Sequence, residues 1–153
     1  MGQAESFYTR TTRFSGIKSA ASILGVVGAN LTMVQAASIV FDNHYPVVNE
    51  DYILRVYGKE VYSLVSQIIP VRLAQDCQDN PSAEVAELMG SSSEEAQTVM
   101  LAGILARAQK TATMPLSEAR LFLRRQTELL RFIPAGNPDI YHAASQYLYG
   151  SLS

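Results

Sequence analysis

Residues 19–41 read SAASILGVVGANLTMVQAASIVF, 23 positions without one charged side chain. Two structures satisfy such a run. It can be a helix crossing a bilayer, which takes about 20 mainly apolar residues for roughly 30 Å of hydrocarbon. It can equally be a helix buried in the core of a soluble bundle, although a core helix usually turns one charged face to water.

Length and flanks favour the span. Ser22, Gly25, Gly28, Thr32 and Gln35 recur every three or four residues, and Ala21, Gly25 and Ala29 repeat small side chains at four-residue spacing. In a membrane, such a face lets two helices approach closely, with hydroxyls and amides bonding across the contact. Ile23, Leu24, Val27, Leu31, Val34 and Val40 then form the lipid-facing side. Upstream stand Arg10, Arg13 and Lys18 against Glu5, and downstream Asp42, Glu50 and Asp51 with no cation before Arg55. The positive-inside rule then puts the N-terminus in the cytoplasm. The run exceeds the h-region of a secretory signal and is expected to be retained.

The rest of the chain is punctuated like a set of helices. Asn49 is placed as an N-cap before Glu50 and Asp51, and Ile53, Tyr57, Val61, Leu64, Val65 and Ile68 keep helical spacing. Gly58 is expected to bend that segment and Pro70 to stop or kink it. Asn80-Pro81 and Asn137-Pro138 read as cap-and-start pairs. Ser92 with Glu95 fits a capping box. Thr113-Met114-Pro115 opens a helix to about Phe132, with Leu116, Leu121, Phe122, Leu129 and Phe132 as its expected core side. No segment alternates like a strand. The expected architecture is therefore all-α: a flank at 1–16, one long apolar helix at 17–41 read as a single membrane span, and a small helical domain at 42–153.

Composition narrows the function. The 48% hydrophobic and 17% charged content is that of a globular chain, and a net charge of −2 gives no reason to expect nucleic acid. The lone Cys77 excludes an internal disulfide and a thiolate zinc site, and the neighbouring carboxylates Asp76 and Asp79 argue against a reactive thiolate. His44 and His142 lack ligand spacing. No glycine-rich phosphate loop or nucleophile motif is present, so neither catalytic residues nor a cofactor or metal is expected. Met1-Gly2-Gln3-Ala4-Glu5-Ser6 fits the short myristoylation pattern, but one acyl chain anchors only marginally.

One charge pattern remains. Asp76 to Glu95 holds acids and no cation, while Arg107 to Arg131 is mainly basic. Arg120, Arg124 and Arg131 share one helical face. They are either ordinary solvated surface or a docking face for an acidic patch on a neighbour or another copy, for which the Asp76–Glu95 region is a candidate. Tyr141, Tyr147 and Tyr149 belong either to the core or to such an interface. The reading that follows is a non-catalytic structural or assembly subunit of a membrane-associated multiprotein complex, with protein subunits and lipid as partners. The alternative is a soluble all-α scaffold or adaptor with residues 19–41 in its core. A third reading is a cofactor- or pigment-binding helical protein.

Overall fold

A computed structural model of the chain describes residues 13–43, 49–76 and 82–152. Among them are eight α-helices and no strand, so the all-α expectation holds. The helices are α1 (Ala20–Val26), α2 (Leu31–Ala37), α3 (Glu50–Val56), α4 (Lys59–Asp76), α5 (Ala83–Gly90), α6 (Glu94–Lys110), α7 (Leu116–Leu130) and α8 (Pro138–Leu152). A π-turn, Ser38–Asp42, extends α2, and a 3₁₀ turn, Thr111–Thr113, follows α6.

The opening stretch is not one helix. As a straight helix, 23 residues would be about 35 Å long. Instead its ends meet: Asp42 accepts from the Ser19 hydroxyl at 2.9 Å and from the backbone N–H groups of Ala20 and Ala21 at 2.7 and 3.1 Å. The turn between α1 and α2 is a Schellman motif. Gly28, at φ +71°, donates to Gly25, and Ala29 donates back to the Leu24 carbonyl. The left-handed conformation at this position suits glycine. Asn30 then caps α2 by accepting from the Met33 N–H at 3.0 Å. The span reading is corrected on this ground: among the described residues no helix is long and apolar enough to cross a membrane.

The face assigned to lipid is turned inward. Ile23, Leu24 and Val40 are fully buried against protein, whereas Leu31 stays 69% exposed. They join a single hydrophobic cluster that runs from Phe14 to Leu148. Two of the flanking charges, Arg13 and Asp42, serve the ends of α1. Arg13 donates to the Val26 carbonyl at the C-terminal end of α1 and lies 3.7 Å from Asp139, while Asp42 serves the N-terminal end. Each charge sits at the helix end whose dipole it complements.

The organising element is α6. It touches α1, α2, α4, α7 and α8, and of its residues only Glu94, Glu95, Arg107 and Lys110 are not buried. Acids in its first turn and cations in its last match the macrodipole. Ala96, Ala102, Gly103, Ala106 and Ala108 keep it thin enough for several neighbours at once. Phe41 lies so close that a Cβ on Gly103 would stand 2.6 Å from its ring. Several starts match the sequence: Asn49 caps α3, Asn137 caps α8 and Pro115 precedes α7. Others shift. Ser93, not Ser92, caps α6, so the expected capping box is not formed. Pro70 neither stops nor splits α4. The carbonyl it leaves unbonded belongs to exposed Ser66, where water can serve it, and buried Ile68 and Val71 hold both sides. The Asn80-Pro81 pair, Cys77, His44 and the N-terminal myristoylation pattern lie outside the described residues.

Gly103→Ala is expected to destabilise the fold by about 1–3 kcal/mol through overpacking against Phe41. Gly25→Ala adds a Cβ that meets no atom within 4 Å, so it should be neutral or stabilising by up to about 1 kcal/mol through helix propensity. Urea unfolding of both variants checks the contrast. Equal losses would remove the Phe41–Gly103 contact from its organising place.

Candidate docking face on α7

The small-residue stripe at 21–35 does not form one face. Ala21, Ser22 and Gly25 lie on α1, Gly28 and Ala29 in the turn, and Thr32 and Gln35 on α2. An added Cβ at Gly25 or Gly28 meets nothing within 4 Å, so the helix contact expected there is not made among the described residues. Thr32 lines a polar cleft of about 440 Å³ with Asn30, Glu60, Ser63, Gln67 and Glu95.

The arginines expected to dock lie on α7, and their direction follows from how its other side is tied down. Ala119, Leu123, Gln126 and Leu130 recur at helical spacing and are buried. Gln126 accepts from Gln75 Nε2 at 2.8 Å. Gln75 Oε1 accepts from Arg107 Nη1 at 2.9 Å, and Arg107 Nη2 donates to Asp76, also at 2.9 Å. A guanidinium can only donate, so Arg107 fixes the orientation of both amides. Arg125 donates to the Gln75 carbonyl in the last turn of α4 at 2.9 Å. The Arg107 guanidinium also lies 5.4 Å from the centre of the Phe122 ring. Burial and the nearby Arg72 lower the Arg107 pKa from its ordinary value, and Asp76 acts in the opposite direction. This chain of contacts, from α6 through α4 to α7, sets the rotation of α7.

What is left outside is a strip. At about 100° per residue, Arg120, Arg124 and Arg131 fall within about 40° of one another. Leu116, 69% exposed, and Leu121, 56% exposed, border it. Both leucines were expected in the core. They lie outside because the buried face is the one carrying Leu123 and Gln126. Arg131 pairs with Glu128 at 3.2 Å. Among the described residues, Arg120 and Arg124 make no ion pair. Of the expected tyrosines, Tyr149 is exposed, while Tyr141 and Tyr147 pack partly against the core. His142 is half-buried on α8.

Sequence reasoning missed the buried tie of Gln75, Arg107 and Gln126. The available signal was three long polar residues at positions whose helical spacing points them inward. Comparison with protein-family models, curated proteins and solved structures finds no significant match for this chain.

Gln75→Met strands the whole Gln126 amide and one Arg107 donor, and should cost about 2–3 kcal/mol. Among the described residues, Gln126 Nε2 already has no hydrogen-bond partner although it is buried. Gln126→Met therefore exchanges one unpaired donor for another, and should cost about 1 kcal/mol or less. Chemical denaturation ranks the two, and a reversed order would break the proposed direction of the chain.

Proposed function

We propose that this chain is a non-catalytic assembly or adaptor subunit, and that the outer strip of α7 is its docking element. The observation that carries this reading is the pairing of Arg120 and Arg124, both without an ion-pair partner among the described residues, with exposed Leu116 and Leu121 on a helix whose rotation is fixed from inside. Isolated exposed leucines need no explanation. Two of them bordering unpaired guanidinium groups make a surface of the kind that recognises protein, since arginine is enriched at interfaces and apolar area supplies affinity. The burial of Ile23, Leu24, Met33, Ala36, Ile39, Val40 and Phe41 supports the scaffold form of this reading, in which the apolar stretch serves the chain's own core. A place in a membrane-associated complex is compatible with it, with attachment running through a docked partner.

Reversing charge on the strip should separate function from folding. Exposed substitutions usually change stability by no more than about 0.5 kcal/mol each. The R120E/R124E/R131E variant is therefore expected to keep its helical circular dichroism and cooperative unfolding. The complex containing the tagged chain in its native cells should shrink to the free subunit on sizing in low salt. A variant that folds and remains in a complex of unchanged size would sink the reading.

A further inference from the structure

We infer that the partner of the α7 strip is a second copy of this chain, and that the surface it meets is the outer face of α5. This inference rests on the docking role proposed above. On α5, Glu84, Glu87 and Leu88 are exposed at positions i, i+3 and i+4, and therefore share one side of the helix. Leu88 is 51% exposed. Among the described residues, neither Glu84 nor Glu87 forms an ion pair. Each face thus has two unpaired charges of one sign beside exposed leucine, and the signs are opposite.

The spacings agree as well. Glu84 and Glu87 are separated by about 4.5 Å of helix axis, and Arg120 and Arg124 by about 6 Å. Two carboxylates can therefore oppose two guanidinium groups one turn apart, and the fork geometry of arginine suits bidentate pairing. Leu88 would meet the leucines bordering the arginines. A lipid surface fits the strip less well. A helix lying in a membrane interface buries an apolar centre and keeps its cations at the sides, whereas α7 has arginines at the centre and Leu116 and Leu121 at the edges.

The contact joins two different surfaces. It either closes as a two-fold pair that uses the contact twice or continues head to tail. Exposed charge pairs are screened by salt, so association should be strongest at low ionic strength.

The test is a charge exchange between chains, read by sedimentation velocity on the purified full chain. The wild type should self-associate at low salt. The E84K/E87K and R120E/R124E variants should each weaken that association by about tenfold or more, because repulsion replaces attraction. Mixing the two variants should restore it, since the basic α5 of one now faces the acidic α7 of the other. A monomeric wild type at low salt, or an undiminished E84K/E87K variant, overturns the second copy as partner. If R120E/R124E still dismantles the native complex, the broader docking role stands with a different partner. If it leaves that complex intact, both readings fall. Binding of the wild type to phosphatidylserine vesicles that R120E/R124E abolishes, without self-association, would overturn the inference in favour of lipid.

Discussion

The fold depends on a helix that has almost no surface. Burying α6 on nearly every side yields a large apolar contribution, but it also buries polar groups that must be satisfied. The chain uses them as ties to its loops. Gln97 donates to the carbonyls of Gly90 and Ser92 and accepts from the Ala135 N–H. Thr98 accepts from the Asn137 N–H at 2.9 Å. Gln109 accepts from the Gly16 N–H and donates to the Phe14 and Ile17 carbonyls. Arg107 reaches the end of α4. Each of these four polar residues thus fixes one connection or helix end around the central helix. A fully apolar α6 would bury as much area and leave those loop groups unpaired.

The hairpin of α1 and α2 follows from the same constraint. A straight helix over residues 19–41 would reach far beyond the 17-residue α6 and leave apolar side chains without cover. Folding back places Ile23, Leu24, Met33 and Ala36 within one core. The cost is a set of exposed helix ends in mid-stretch. The Gly28 turn, the Asn30 cap and the reach of Asp42 back to Ser19, Ala20 and Ala21 meet that cost. The two ends of the stretch are thereby held together by hydrogen bonds.

Sequence reading located the helix starts whose signal is local. Asn49, Asn137-Pro138 and Pro115 act through the next few residues, and their effect does not depend on the rest of the fold. It failed at residues 19–41 because length and absence of charge describe a span and a buried hairpin equally well. The discriminating signal was present in Gly28-Ala29-Asn30, a left-handed stop followed by a cap. Hydropathy averaging passes over such a signal. The charged flanks misled for a related reason: Arg13 and Asp42 complement helix dipoles within the chain, and a topology rule counts them without asking what they touch. Arg120 and Arg124 are exposed on α7 and Arg131 follows its last residue, and the helical periodicity that spaces them is also local. Which side of α7 faces in was not legible, because Leu116 and Leu121 look like core residues until Gln75 and Arg107 are known to hold Gln126.

The inner contacts of α7 also favour the docking role proposed for it. A strip of long, flexible side chains loses conformational entropy when it binds, and a helix free to roll would add a further loss. Here the roll is removed in advance by contacts that lie beneath the strip and share no residue with it. Arg125 and Arg124 are neighbours in sequence with opposite assignments: one is spent on the Gln75 carbonyl, while the other points outward. The inner arginine determines where the outer one stands. Packing contacts and the proposed docking strip thus lie on opposite sides of one helix, so the outer residues are open to change with little penalty to the core. The inner ones are less free, because Ala119, Leu123 and Leu130 are buried in the core, while Gln126 and Arg125 are tied to Gln75, which Arg107 of the central helix holds.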